Sequence, residues 1–286
     1  MLKCFQNSQK NFWENLESKK DRPTYCTGLI TIPYNEFINS FEDEKKIQSY
    51  IEQLFSGKIF IIKSAFDPTF IQKLKVDFNH FVKSKPSEFH KMLENCPDFH
   101  RVIDEEVTKN YSMRAIKHSA YFFHWNGDPY NIFPEINKRW RYLKYLGGKK
   151  FNEFEKNTPK DGIVDRIQLL KYPPGGELQL HSDPFHNQRM FISIYMSKRQ
   201  KNGEFETGGF YSLNENKEVI DIEPFIEEGD MGFGYATIIH GVSKIDGKYF
   251  EKGNFLDDKG RWFLGLYSND SDEQKERKTS IAVNEK

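Results

Sequence analysis

Residues 164–196, VDRIQLLKYPPGGELQLHSDPFHNQRMFISIYM, decide the fold of this chain. The stretch contains short runs rich in β-branched and aromatic residues, and Pro173-Pro174-Gly175-Gly176 separates two of them. Such runs, bounded by turn residues, are typical of β-strands. The predicted strands are 164–172, 177–181, 190–196, 210–213, 219–222, 231–240 and 261–268. Seven or eight short strands with regular turns favour a sandwich, a barrel or a jelly roll.

The sequence before residue 164 has a different character, because its apolar residues recur mainly at helical spacing. Asp67-Pro68 marks the start of one helix, since aspartate is a favoured N-cap and proline a favoured first helical residue. The other predicted elements are a helix over 41–55, a strand over 58–62, a strand over 115–125 and a helix over 133–146. We therefore expect an α+β fold with a mainly β core and N-terminal helices packed on one face.

The domain organisation is expected to be simple, since no Ser-, Gly- or Pro-rich linker interrupts the middle of the chain. We predict one domain over residues 26–268, with its jelly-roll core at about 164–268. The first 25 residues and residues 269–286 are polar. We therefore expect a flexible N-terminal segment and a disordered C-terminal tail.

Composition excludes several classes of protein. The 286 residues include 42 Lys plus Arg and 42 Asp plus Glu, and a net charge of zero argues against a nonspecific nucleic-acid binder. No apolar run approaches the roughly 18 residues of a transmembrane helix, and the start lacks the apolar core of a secretory signal. Cys4, Cys26 and Cys96 are widely spaced, which fits a reducing cytosol. We therefore expect a cytoplasmic protein that binds neither nucleic acid nor membranes.

The strongest candidates for chemistry are His181, Asp183 and His240. Residues two apart on an extended chain point to the same side, so His181 and Asp183 can share one metal ion. His240 ends another predicted strand and can supply a third ligand. Two histidines and one carboxylate form the facial triad of non-haem iron(II) oxygenases, which leaves coordination positions open for a chelating cosubstrate and dioxygen.

Arg261 is the candidate for binding that cosubstrate, because it opens the apolar strand 261–268. A cation heading such a strand must reach solvent or find an anion. The guanidinium fork suits the distal carboxylate of a cosubstrate.

With these motifs in place, residues 164–268 resemble the iron(II)/2-oxoglutarate-dependent dioxygenases, specifically their prolyl-4-hydroxylase-like branch. The resemblance covers about a third of the chain. The matching stretches are Leu170-Lys-Tyr-Pro-Pro-Gly175, His181-Ser-Asp183, Arg189 with the strand after it, Gly208-Gly209-Phe210, Glu228-Gly229-Asp230, His240-Gly241-Val242 and Gly260-Arg261-Trp262. The segment 244–259 is longer than the usual turn of that family.

The resemblance implies a double-stranded β-helix, or jelly roll. It implies His181, Asp183 and His240 as catalytic iron ligands, with Fe(II), 2-oxoglutarate and dioxygen as cofactor and cosubstrates. It also implies that Arg261 pairs with the C5 carboxylate of 2-oxoglutarate. Tyr172 matches a tyrosine that hydrogen-bonds the cosubstrate in related enzymes.

Alternation along strand 164–172 extends this set of candidates. If Tyr172 faces the interior, so do Gln168 and Arg166, whereas Ile167 and Leu169 face the helices. Polar groups on an interior face need partners, so we predict that Gln168 binds the cosubstrate and Arg166 the substrate.

Two other strands offer weaker signals. On the run 190–196, strict alternation predicts that Tyr195 points outward and Met196 inward. The strand 115–125 ends at a turn and offers His124 and Asn126 as further substrate contacts.

The expected function is hydrogen abstraction from an unactivated C–H bond of a small molecule, such as an amino acid or a natural-product intermediate. Hydroxylation, desaturation and oxidative cyclisation are all open outcomes, with succinate and carbon dioxide as co-products. A protein hydroxylase of the prolyl type is one alternative, and a non-catalytic jelly-roll module that binds a metal or ligand is another. The sequence names neither the substrate nor the oligomeric state.

Overall fold

The computed structural model describes residues 6–253, 255 and 257–283. Its second half is a succession of short strands, as the sequence predicts. They are β5 (Ile163–Tyr172), β6 (Glu177–Ser182), β7 (Met190–Tyr195), β8 (Gly209–Leu213), β9 (Val219–Asp221), β10 (Met231–Tyr235), β11 (His240–Ser243), β12 (Arg261–Asp270) and β13 (Ile281–Ala282). The single strand predicted over 231–240 is two strands, because the chain turns between Tyr235 and His240.

The first half of the chain alternates helices with strands. Its strands are β1 (Gly28–Pro33), β2 (Lys58–Lys63), β3 (Phe99–Ile103) and β4 (Ala115–Phe123). Its helices are α1 (Gln6–Lys19), α2 (Tyr34–Asn39), α3 (Glu44–Phe55), α4 (Pro68–Ser84) and α5 (Phe133–Leu146). At the start of α4 the side chain of Asp67 accepts a hydrogen bond from the Thr69 amide at 2.7 Å, as expected for an N-cap.

The strands form one curled sheet in the order β1-β2-β10-β7-β12-β5-β4-β6-β11-β8-β9, with β3 added to β4 and β13 to β6. Strand β4 joins the two halves of the curl, since it pairs with both β5 and β6. This arrangement confirms the predicted mainly β jelly roll. The two halves face each other across an interior to which β5, β6, β11 and β12 all contribute.

The helices cover the outer face of the half that contains β5 and β12. Trp13, Ile51, Leu74 and Trp140 from four helices belong to the same buried apolar cluster as Ile167 of β5. Leu170 and Tyr172, which alternate with the outward residues of β5, belong to a separate interior cluster with Val242 and Phe263. Helix packing on one face is therefore found as predicted, and the phase of β5 is the expected one.

The N-terminal segment differs from its expected flexibility. Residues 6–19 form α1, and Trp13 is fully buried with its indole N–H donating to the Leu146 carbonyl at 2.7 Å. Glu17 forms an ion pair with Arg189 at 2.8 Å. The segment is ordered because Trp13 belongs to the buried apolar cluster and Phe12 and Leu16 pack against it, which the overall polarity of the sequence conceals.

The C-terminal tail is also not disordered over the residues that are described. Strand β12 extends to Asp270, whose carboxylate accepts from Asn187 at 2.7 Å. Ile281 and Ala282 then pair with Ser182 and His181 of β6. Main-chain hydrogen bonds to a free sheet edge stabilise this polar segment, and such pairing does not require apolar side chains.

Two further observations bear on the sequence predictions. Cys26 and Cys96 are buried free thiols, whereas Cys4 lies outside the described residues. No helix within the described ranges has the length and apolar character needed to cross a membrane.

Candidate metal and cosubstrate site

The fold brings His181, Asp183 and His240 together at one point of the interior. Strands β6 and β11 are antiparallel neighbours, and His240 lies directly opposite His181 in their register. Asp183 follows the end of β6, where its amide donates to the Ala236 carbonyl at 2.9 Å. One potential ligand atom from each of the three residues lies within 4.8 Å of the others. Three donors around one point on two paired strands can hold one face of a metal's coordination sphere.

Both imidazoles are oriented by main-chain carbonyls of their own segments. The Nδ1 atom of His181 lies 2.9 Å from the Gln179 carbonyl, and that of His240 lies 2.9 Å from the Ile238 carbonyl. Each Nδ1–H therefore donates to a carbonyl, which leaves both Nε2 lone pairs directed at Asp183, 3.7 Å from its carboxylate oxygens. This orientation is the usual one for metal-binding histidines.

The electrostatics of the cluster favour the ligand forms of two of these side chains. Burial, together with the neighbouring His240, lowers the pKa of His181 to about 4, so its imidazole is neutral at pH 7. Burial raises the pKa of Asp183, but the two imidazoles and a 2.6 Å hydrogen bond from Ser280 Oγ outweigh it and leave a net lowering. A neutral imidazole and an ionised carboxylate are the states that bind a metal ion.

A narrow cleft leads from the three residues to Arg261. Its walls include Tyr172, Phe263 and both histidines, and it ends at the buried guanidinium of Arg261. Arg261 lies opposite Tyr172 in the register of β12 and β5. Its Nε donates to the carboxylate of Glu223, a fully buried residue that the sequence did not single out.

Two tyrosine hydroxyl groups at this end have no partner. The Tyr172 and Tyr195 hydroxyls are both buried without a hydrogen bond among the described residues. The Tyr195 ring centroid lies 5.8 Å from the central carbon of the Arg261 guanidinium. Burial raises the pKa of both phenols, so each hydroxyl remains a donor. Unpaired donors beside an arginine are suited to receive a carboxylate.

The position of Tyr195 contradicts the prediction that it points outward. The ring centroid of Phe191 lies 4.4 Å from that of His240, so Phe191 faces the interior. Tyr195 is four positions later on β7 and therefore points to the same face. The expected phase was off by one residue.

A larger cavity of about 570 Å³ opens on the other side of Asp183. Arg166, Gln168 and Tyr121 line it, together with Lys117 of β4. Tyr267, Leu178, Phe191 and Asp183 belong to both the cavity and the narrow cleft. The two spaces therefore meet at the three-residue cluster. A cavity of this size suits a small molecule.

The predicted pocket residues divide into two groups. Arg166 and Gln168 are in the larger cavity, where Arg166 Nη2 donates to Gln168 Oε1 at 3.2 Å. Gln168 does not line the cleft that ends at Arg261, although we expected it to bind the cosubstrate. Its amide nitrogen instead donates to Ser119 Oγ at 3.1 Å.

His124 and Asn126 are outside both spaces, contrary to expectation. His124 contacts Asn137 of α5 and stacks on Phe133 with ring centroids 4.3 Å apart. Asn126 donates to the Asp98 carboxylate at 2.8 Å. Both residues follow β4 in a 3-10 turn, which rotates their side chains away from the interior.

The residues that sequence reasoning missed are Lys117, Glu223 and Ser280. Lys117 alternates with Tyr121 on the interior face of β4, so the strand pattern could have found it. No sequence signal marks Glu223 as the partner of Arg261. Ser280 was assigned to a disordered tail, yet its hydroxyl donates to Asp183.

Several solved structures share this architecture. A full-length Neurospora crassa protein, solved in complex with alpha-KG and thymine, matches with a TM-score of 0.51 at 14% identity, over 92% of this chain and 95% of that one. The complex of the same protein with alpha-KG matches at 0.50 and 12% identity, over 89% and 93%. A Pseudomonas putida prolyl-4-hydroxylase matches at 0.48 and 10% identity, over 78% and 97%.

The chain has the jelly-roll fold of the Neurospora crassa structures. At these identities the likeness concerns the fold alone. No protein-family model matches the sequence, and no curated protein is significantly similar to it.

Proposed function

We propose that the protein is a non-haem Fe(II)/2-oxoglutarate-dependent oxygenase that oxidises an unactivated C–H bond of a small molecule. The observation that carries this proposal is the continuous path from a His-Asp-His cluster to a buried arginine flanked by two unpaired tyrosine hydroxyls. The fold shared with structures that contain alpha-KG, which is 2-oxoglutarate, agrees with it.

The residues present fit both groups. Two imidazoles and one carboxylate are the donor set that non-haem Fe(II) takes in facial triads. The buried hydroxyls of Tyr172 and Tyr195 lack a hydrogen-bond partner among the described residues, and a carboxylate bound at Arg261 would supply one. Glu223 engages Nε of Arg261, which leaves the terminal nitrogens of the fork for a ligand.

Each side chain then has a defined task. His181 and His240 would coordinate iron through Nε2, and Asp183 through a carboxylate oxygen. Arg261, Tyr172 and Tyr195 would hold the distal carboxylate of 2-oxoglutarate and so orient the keto end toward the metal. Bound Fe(II), with 2-oxoglutarate and dioxygen, supplies hydrogen abstraction that ends in hydroxylation, desaturation or cyclisation, with succinate and carbon dioxide released.

A small molecule is favoured as the substrate because the cavity beside Asp183 has a volume of about 570 Å³. A prolyl-type protein hydroxylase is the second candidate. The observation in its favour is that Phe89 and Tyr111 at the cavity wall are exposed, by 56% and 37%, and can contact a peptide. Small molecules and peptides can be compared by whether they stimulate succinate formation from 2-oxoglutarate.

The test is a visible spectrum of the anaerobic protein mixed with Fe(II) and 2-oxoglutarate. We expect a weak charge-transfer band, which His181→Ala removes. His186→Ala is the matched control, because His186 lies near the cluster in sequence but pairs with Asp270 at 3.0 Å. The absence of a band in folded, iron-loaded protein would overturn the oxygenase proposal and favour a non-catalytic binding module.

A further inference from the structure

Two cations of the larger cavity have no anionic partner. Lys117 and Arg166 line it from the neighbouring strands β4 and β5. Among the described residues, neither side chain forms an ion pair, and the Nε of Arg166 is buried without an acceptor. Arg277, on the same cavity wall, differs because it pairs with Asp272 at 2.6 Å. Arg101 and Lys278 also line the cavity without an ion pair among the described residues, but Lys117 and Arg166 are the cations that interact with the charge of Asp183.

The surroundings of Arg166 hold its guanidinium in a fixed place. The central carbon of the guanidinium lies 4.7 Å from the Tyr267 ring centroid and 5.5 Å from that of Tyr121. Its Nη2 donates to Gln168. These contacts position the group without neutralising its charge, because an amide and two rings are uncharged partners.

Leaving both charges without a counter-ion is costly. Burial and the nearby charge of Arg166 lower the pKa of Lys117 to about 8, and burial also lowers the pKa of Arg166. The carboxylate of Asp183 interacts favourably with both positive charges, but a bound metal ion would be coordinated by that same carboxylate. Charged side chains that are shielded from water are found in proteins where a partner compensates them. Because Lys117 and Arg166 face the cavity, such a partner would bind there.

We propose that Lys117 and Arg166 form a subsite for an anionic group of the substrate, so that the molecule oxidised is a small organic acid carrying a carboxylate or a phosphate. This inference rests on the proposed oxygenase function for the identity of the reaction. Asp183 lines both this cavity and the cleft that contains Arg261, so a substrate anchored by the pair has the metal cluster at the cavity wall.

The test uses benzoate, phenyl phosphate and benzamide as probes of similar shape and different charge. Each is titrated calorimetrically into the anaerobic protein loaded with Fe(II) and 2-oxoglutarate, and in parallel into metal-free protein. We expect benzoate or phenyl phosphate to bind at least about tenfold more tightly than benzamide, as charge-assisted hydrogen bonds require. Which of the two anions binds more tightly identifies the anionic group.

Lys117→Met and Arg166→Met are each expected to weaken binding of the preferred anion by about tenfold or more. Lys198→Met and Arg141→Met are the charge-matched controls, since both residues form ion pairs outside the cavity, with Glu227 and Glu155 respectively. The two cavity variants are expected to melt at or above the wild-type temperature, because an unpaired buried charge is removed. A structural role would lower that temperature.

Three results would overturn the subsite. Benzamide could bind as tightly as both anions, the cavity variants could retain wild-type affinity, or they could weaken 2-oxoglutarate binding while benzoate binding is unchanged. The third result would assign the pair to the cosubstrate. A charge-transfer band without anion binding would refute the subsite alone, and anion binding to metal-free protein without a band would refute the oxygenase alone.

Discussion

The two ends of the interior, which are the narrow cleft and the larger cavity, differ in how positive charge is compensated. At one end, Arg261 is 3% exposed and donates to the carboxylate of the fully buried Glu223. At the other, Lys117 and Arg166 face a cavity and form no ion pair with the residues that the structure describes. A cation that is paired with a carboxylate of the protein stabilises the folded state without a ligand. A cation without one gains its partner only when a ligand arrives.

This difference distinguishes stability from binding. Removing Arg261 should affect folding as well as 2-oxoglutarate binding, because Glu223 would remain buried and uncompensated. Removing Lys117 or Arg166 should mainly affect ligand affinity. The predictions below test how far that distinction holds, beginning with the largest expected effect.

Arg261→Met is expected to lower the free energy of unfolding by about 3–5 kcal/mol, the cost of leaving one member of a buried ion pair alone. Urea unfolding of the metal-free protein measures it. Lys198→Met is the control, since the exposed Lys198–Glu227 pair should contribute less than about 1 kcal/mol. A loss below about 1 kcal/mol for Arg261→Met would contradict the comparison. It would mean that the ion pair with Glu223 does not stabilise the fold, so that Arg261 would not differ from Lys117.

His118 is a buried base that needs no counter-ion, because its imidazole stays neutral. Its Nε2 lies 3.0 Å from His100 Nδ1 and its ring packs against Phe78 and Phe255. Burial, followed by the charges of His100 and Lys171, lowers the pKa of His118 to about 3. The unfolded chain, with a histidine pKa of about 6.5, binds the proton more readily. The free energy of unfolding should therefore fall as the pH drops from about 6.5 to about 3.

Unfolding of His118→Gln by urea at several pH values tests this. The variant keeps a side-chain donor toward His100 but cannot be protonated, so its stability should fall less steeply over that range, by up to about 5 kcal/mol in total. His80→Gln, at an exposed position, serves as the control. If the free energy of unfolding changed equally with pH in the wild type and in His118→Gln, the pKa of His118 would not be lowered in the folded protein.

The fold was largely predictable because its signals are local. The turn Pro173-Pro174-Gly175-Gly176 and the alternation on β5 placed Tyr172 and Arg166 in the interior without any tertiary information. The cluster of His181, Asp183 and His240 was predictable for the same reason, since two of its members are two residues apart on one strand end.

The remaining errors have physical causes. In β7, Met190, Phe191, Ile192, Ile194 and Tyr195 are all buried, so the strand shows no period-two pattern from which its phase can be read. Glu223 is brought to Arg261 by tertiary contact alone. The tail is ordered because its last strand, β13, pairs with the edge of β6. That edge exists only in the folded sheet, so the sequence of the tail does not reveal the pairing.

Tyr195→Phe sharpens the comparison at the Arg261 end. The hydroxyl has no hydrogen-bond partner in the described part of the chain, so its removal should leave the free energy of unfolding unchanged while weakening 2-oxoglutarate binding by about tenfold. Titration of the anaerobic Fe(II) protein with 2-oxoglutarate measures the affinity. Tyr235→Phe is the matched control, because the Tyr235 hydroxyl donates to Glu17 at 2.8 Å far from the cleft.

The control should show the reverse pattern, with lower stability and unchanged 2-oxoglutarate affinity. If Tyr195→Phe instead destabilises the free protein and binds 2-oxoglutarate normally, its hydroxyl belongs with Glu223 in supporting the fold. The ligand-binding part of the Arg261 end would then be limited to Tyr172 and the arginine itself.

Ser280→Ala tests the smallest effect, at the point where the two ends meet. Ser280 Oγ donates to Asp183 Oδ1 at 2.6 Å, and β13 holds the segment against β6 beside His181. Losing a hydrogen bond that orients a carboxylate ligand should weaken Fe(II) binding by about tenfold at most. Thr279→Ala, on the neighbouring exposed residue, should leave Fe(II) affinity unchanged. Calorimetric Fe(II) titration under anaerobic conditions gives both values, and equal affinities would show that the C-terminal segment covers the cluster without orienting Asp183.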